Sequence, residues 1–111
     1  MSKSQMWGYR GFIGPSATKY CALANNLPDG TVSASTEANA EITQRTAGTY
    51  RNFYVRIFSN DVGATTIRFR KNRANGNQTL SIGGSTTGEF IDLSNTDSVV
   101  AGDEIDYSVV S

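Results

Sequence analysis

A chain of 111 residues is one domain by length, and folding at that size buries roughly 65% of the surface the unfolded form exposes. Hydrophobic residues make up 38% and charged residues 18%, with 11 glycines and only 2 prolines, a globular and turn-rich composition that excludes disordered and collagen-like classes. Ten basic residues cancel ten acidic ones, which withdraws the long-range attraction of nucleic acid or anionic lipid for clustered Lys and Arg, so neither a nucleic acid nor a membrane is an expected partner.

The lone Cys21 cannot form an internal disulfide, which points to maturation in a reducing cytoplasm, with an intermolecular bridge as the alternative. Met1 to Trp7 lacks the apolar region of a secretion signal, and no run approaches the roughly 18 apolar residues of a membrane span, so neither export nor anchoring is expected. Residues 6–13 place Trp7, Tyr9 and Ile13 on one side of an extended segment interrupted by glycines. This reads as a first strand, an aromatic arm that either closes the sandwich or docks on another chain.

Gly14-Pro15 ends that strand. Ala17, Ala22, Leu23, Ala24 and Leu27 suit one helical turn, but Asn25-Asn26 and Pro28-Asp29-Gly30 stop it, so a loop with at most one turn of helix is expected. Residues 31–40 are small and polar, and residues 41–46 form an expected edge strand without a long apolar run to invite edge pairing.

Ala47-Gly48-Thr49 reads as a turn, after which the period becomes two. Phe53, Val55 and Ile57 share one face of a strand, and Tyr54, Arg56 and Phe58 the other. Asn60-Asp61-Val62-Gly63 turns the chain into residues 64–71, where Ile67 and Phe69 point inward and Thr66, Arg68 and Arg70 outward. Within residues 72–77 the pair Asn75-Gly76 is a strong turn signal, because both residue types accept positive φ. Residues 78–82 form the next strand with Leu80 and Ile82 inward. Residues 89–93 form another, Ser94 to Asp97 a turn, Ser98 to Ala101 a short strand, and Glu104 to Val110 the last, with Ile105, Tyr107 and Val109 on one face. Short strands separated by Gly, Asn and Asp turns, with no helical period, predict an all-β antiparallel jelly-roll-like β-sandwich with an extended N-terminal segment. The expected division is an N-terminal arm with edge strands over residues 1–46 and a core over residues 47–111, together one domain without repeat or linker.

The succession Ala47-Gly48-Thr49-Tyr50-Arg51-Asn52-Phe53-Tyr54-Val55-Arg56-Ile57, then Thr65 to Asn72, then Thr86-Thr87-Gly88-Glu89-Phe90-Ile91-Asp92, then Val99-Val100-Ala101-Gly102-Asp103-Glu104-Ile105 resembles the small jelly-roll modules of tailed-bacteriophage virion proteins, similar in outline to C1q/TNF-like sandwiches. It covers about the last 60% of the chain. The resemblance implies a module that trimerises on a virus surface, made in the host cytoplasm and carried on the capsid. Without a stalk or coiled-coil heptads, the chain looks more like a capsid cement (decoration) protein, with the major capsid protein as partner. The alternative is a receptor- or glycan-binding tip of a tail fibre or spike, using residues 72–77.

With no His in the chain, His-based acid/base chemistry and Ser/Cys-His pairs are excluded. Asp92, Asp103 and Asp106 are formal candidates for glycosidic hydrolysis, but no apolar cleft is evident to raise one pKa, and no enzyme is expected. One Cys and no His exclude the usual zinc sets, and Asp103, Glu104 and Asp106 lack the spacing of a calcium loop, so neither metal nor cofactor is expected. Arg51, Arg56, Arg68, Arg70, Lys71 and Arg73 near Tyr54 and Phe58 resemble a base-stacking platform, but the same spacing describes the outer face of neighbouring strands.

Charge is segregated along the chain. Residues 45–73 hold seven basic residues and one acid, while residues 89–106 hold six acids and no base. Cross-strand pairing within a sheet explains this, at roughly 0.2–1 kcal/mol per pair, and so does a contact in which the basic face of one subunit meets the acidic face of the next. The expected oligomer or capsid interface comprises Trp7, Tyr9, Tyr54, Arg56, Phe58, Arg68, Arg70 and Ile91, with Tyr54, Phe58 and Ile91 as its desolvated centre.

Overall fold

A computed structural model describes residues 2–3, 18–21 and 35–111. The strands are β1 (Ser2–Lys3), β2 (Thr18–Cys21), β3 (Ile42–Thr43), β4 (Gly48–Ile57), β5 (Thr65–Lys71), β6 (Ala74–Ile82), β7 (Gly88–Val99) and β8 (Glu104–Val110). One turn of 3-10 helix spans Glu37–Asn39. The strands form two sheets: a first in the order β1-β4-β7, and a second in the order β2-β8-β5-β6, with β3 also on β8. All pairings are antiparallel except that of β1 with β4. The result is an all-β sandwich.

Alternation builds the core. Phe53 of β4, Ile67 and Phe69 of β5, Leu80 and Ile82 of β6, Val99 of β7, and Ile105, Tyr107 and Val109 of β8 are all buried in one cluster with Cys21, against which Val55, Ile57 and Phe90 pack. Each such side chain, taken fully out of water, contributes about 1.5–3 kcal/mol. Phe53 meets Tyr107 edge-on across the sheets at 6.3 Å, and Tyr50 meets Phe69 at 5.4 Å, the offset geometries that ring quadrupoles favour.

Several local expectations are corrected. Within the stretch read as a loop, Thr18–Cys21 is a strand, paired with residues 107–110 of β8. The expected edge strand at 41–46 is reduced to Ile42–Thr43, and it too pairs with β8. Gly48 and Thr49 are not a turn but the start of β4, because β7 continues far enough to pair with them at Val99 and Ser98. The residues expected to turn at 94–97 lie within the single strand β7. The strand expected at residues 6–13 lies outside the described residues.

The hairpin between β5 and β6 turns at Asn72-Arg73, not at Asn75-Gly76. Lys71 pairs with Ala74, and both turn residues take positive φ, 51° and 63°, as the two-residue turn matching the twist of the flanking strands requires. Asn72 is held there from three sides. Its backbone N–H donates to the Glu104 carbonyl at 2.7 Å, its Nδ2 donates to Asp103 at 3.0 Å, and its Oδ1 accepts the Glu104 N–H at 2.9 Å.

Gly76 serves a different purpose. A Cβ there would stand 2.7 Å from Asp97 Oδ1 and 2.9 Å from the Phe69 ring. The β5–β6 register runs Arg68 to Thr79 and then Arg70 to Asn75, so Gly76, Asn77 and Gln78 together oppose Phe69 in a bulge of three residues against one. The β4–β7 register slips alike, with Asn52, at φ 57°, facing Leu93, Ser94 and Asn95. Two buried aspartates of β7 satisfy the N–H groups at these bulges. Asp97 accepts from Asn77 N at 2.7 Å, Gln78 N at 2.9 Å and Gln78 Nε2 at 3.2 Å. Asp92 accepts from Thr79 N at 2.9 Å and from Ser94 N and Asn95 N at 3.0 Å. These carboxylates fasten the edge of one sheet to the edge of the other.

Candidate interaction face

The outer face of the β4–β7 pair follows from the same alternation. With Phe53, Val55 and Ile57 turned inward on β4, and Phe90 and Asp92 inward on β7, the side chains of Tyr54, Arg56, Glu89, Ile91 and Leu93 stand outward. Register brings them together, since Tyr54 is directly opposite Ile91 and Arg56 directly opposite Glu89. Phe58, just past the end of β4, is 79% exposed, and the Arg56 guanidinium lies over its ring at 4.7 Å from the centroid. Tyr54 is 44%, Ile91 48% and Leu93 73% exposed. Partial shielding from water, and then the Glu89 carboxylate, raise the Tyr54 phenol above its ordinary pKa, with Arg56 opposing.

Four large apolar side chains and one pair of opposite charges thus share one sheet face. Such a face can exclude water against a complementary surface while Arg56 and Glu89 fix its orientation.

Of the expected interface residues, Tyr54, Arg56, Phe58 and Ile91 converge here. Arg68 and Arg70 do not, because they stand on the outward side of β5 in the other sheet. Arg70 is moreover committed within the chain. Its Nε and Nη2 donate to the two Glu37 oxygens at 2.7 and 2.8 Å, its Nη1 donates to Asn75 at 2.6 Å, and its guanidinium lies 5.7 Å from the Tyr20 ring. The Glu37 contact raises the Arg70 pKa, and the same contact lowers that of Glu37. Trp7 and Tyr9 lie outside the described residues. Leu93 carries no sign of this role in the sequence, because β7 inverts the usual pattern around Asp92: the carboxylate points in and the flanking aliphatic residues point out.

The basic residues of the segregated stretch find ion-pair partners within the chain, but among the described residues these are Glu37 and Glu41, outside the acidic stretch at 89–106. Arg73 pairs with Glu41 at 3.0 Å, and Lys71 donates to the Ser98 carbonyl at 3.0 Å. Asp92, Asp97 and Asp106 are buried, Asp103 caps Val100 N at 2.9 Å, and Glu104 accepts from Thr43 at 2.8 Å. The cations that suggested a stacking platform therefore divide between two faces. The formal hydrolytic candidates separate too, with Asp92 pointing between the sheets, Asp103 in a turn and Asp106 on the outward side of β8. Among the described residues no cluster of His, Cys, Asp or Glu could hold a metal ion, and no helix is long and apolar enough to cross a membrane.

No protein-family model, curated protein or solved structure matches the chain.

Proposed function

We propose that this chain is a structural virion protein, a capsid cement protein of a tailed bacteriophage that trimerises and reinforces the shell by bridging neighbouring copies of the major capsid protein. The observation that carries this reading is the outer β4–β7 face, where Tyr54, Phe58, Ile91 and Leu93 are exposed around Arg56 and Glu89 on a rigid sheet. Exposed apolar side chains scattered singly need no explanation, but several on one face mark a site of contact. The chain also changes sheet between β4 and β5, between β6 and β7, and between β7 and β8, as double-sheet jelly rolls do. The sequence resemblance points the same way.

The mechanism is mass action. A protein that binds the assembled shell and not its dissociated subunits stabilises the shell by its binding free energy. The glycan-binding alternative relied on residues 72–77, and there Asn72 is spent on Asp103 and Glu104, Arg73 on Glu41, and Asn77 on Asp97 and Thr96. Electron microscopy of the parent particle tests the reading. Density for this chain at local three-fold positions of the shell is the expected result, and density at the tip of a tail fibre overturns it.

A further inference from the structure

The outward side of β8 carries a carboxyl that the docking face does not use. Ile105 and Tyr107 point into the core, so Asp106 between them points away from it, yet it is 0% exposed. Among the described residues no N–H or O–H group reaches either of its oxygens. The group within hydrogen-bonding reach is the Glu37 carboxylate, brought there by the 3-10 turn. Glu37 is itself gripped by Arg70 through both oxygens, at 2.7 and 2.8 Å, a fork that keeps it ionised. Two ionised carboxylates offer each other only acceptors, so their contact is a hydrogen bond only when one carries a proton. With Glu37 held as the anion, that proton resides on Asp106.

We propose that Asp106 and Glu37 form a proton-dependent latch, in which the Asp106 O–H donates to the Glu37 carboxylate and fastens residues 35–41 over β5 and β8, and loss of that proton releases them. The charged and titratable groups facing the latch are Glu37 and Glu41 from the covering segment, Arg70 from β5, Tyr20 from β2 and Arg73 from the hairpin turn. Burial is the largest influence on Asp106, followed by the Glu37 charge. Together with Glu41 they outweigh Arg70 and push Asp106 up to about 8 from an ordinary value of 3.8.

In the open form Asp106 ionises at its ordinary pKa, while in the closed form it keeps its proton up to about pH 8. The latch is therefore tightest in acid and loosens as pH rises across that window, its opening constant growing about tenfold per pH unit and levelling above it. The lowered pKa of Glu37 acts at the other end, where its contribution is lost only as pH falls below the ordinary 4.5.

The test is carboxyl-detected NMR of the full chain from pH 5 to 9, following Asp106 Cγ together with solvent exchange at Arg70 Nε–H, corrected for the intrinsic effect of pH. The expected result is a Cγ midpoint near pH 8, with Arg70 Nε–H protection falling about tenfold per unit below it. In Asp106→Asn, whose amide donates at every pH, that protection stays constant. A wild-type Cγ midpoint below pH 5, or an Asp106→Asn chain that loses protection just as the wild type does, overturns the latch.

Discussion

Asp97 occupies the space that Gly76 leaves empty: its Oδ1 accepts the Asn77 N–H at 2.7 Å and lies 2.7 Å from where a Cβ on Gly76 would stand. The two residues are one device, since the carboxylate can enter the bulge of β6 only where no side chain precedes it. Gly76→Ala is expected to destabilise the fold by about 1–3 kcal/mol, because Asp97 and the Phe69 ring must both give way. Gly63, where an added Cβ would meet nothing within 4 Å, is the control, and Gly63→Ala should fall within about 0.5 kcal/mol of wild type. Urea unfolding of both variants reads the difference in midpoint at constant slope.

Asp92 contributes to the acid limb of stability. Burial alone would raise its pKa, but the Asn95 side chain and the N–H groups of Thr79, Ser94 and Asn95 outweigh burial and lower it. A carboxyl lowered on folding contributes stability above its ordinary value of 3.8, and that contribution is lost as pH falls through the lower folded value. Asp92→Asn, which keeps one acceptor oxygen, is expected to cost about 1.5–3 kcal/mol at neutral pH. It should also flatten the fall in stability below pH 4, measured by thermal unfolding as a function of pH.

At the hairpin turn, Asn72→Ala removes the side-chain bonds to Asp103 and Glu104 and places a residue poorly suited to it at φ 51°. A loss of about 1–3 kcal/mol is expected. Asn72→Gly accepts the same backbone angle and should lose less. Chemical denaturation of the two variants side by side checks that order. If Ala and Gly are equivalent here, the turn conformation is not what Asn72 supplies.

On the proposed docking face the expectation reverses. Phe58→Ser and Leu93→Ser remove side chains that are 79% and 73% exposed, so monomer stability should stay within about 0.5 kcal/mol of wild type. Self-association should nevertheless fall by at least tenfold, read by sedimentation velocity or native mass spectrometry. Arg68→Glu, on the other sheet, should leave association intact.

The strands of the sequence that alternate simply were legible as such. Phe53, Val55 and Ile57 face the core, as do Ile67 and Phe69, Leu80 and Ile82, and the run Ile105, Tyr107 and Val109. What stayed hidden depends on long-range partners. Asn75-Gly76 carries a local turn signal, but the glycine answers to Asp97, twenty-one residues along the chain. Residues 94–97 look like a turn because neither the bulge at 93–95 nor the pairing of Thr96 and Asp97 with Arg51 and Tyr50 can be recognised without β4 opposite. Thr18–Cys21 has too little pattern of its own, and β8 makes it a strand. The placement of the exposed β4–β7 face was half legible, for Tyr54, Arg56 and Phe58 form an apolar and basic row on the strand, whereas Glu37 as the partner of Arg70 carries no local signal.

The most direct test of the proposed docking face is binding of the chain to phage capsid shells that lack it, comparing wild type with the Tyr54→Ser, Leu93→Ser double variant by co-sedimentation. Saturable binding of the wild type, with at least a tenfold loss of affinity in a variant that remains folded, is the predicted result. Equal co-sedimentation of the two chains contradicts it.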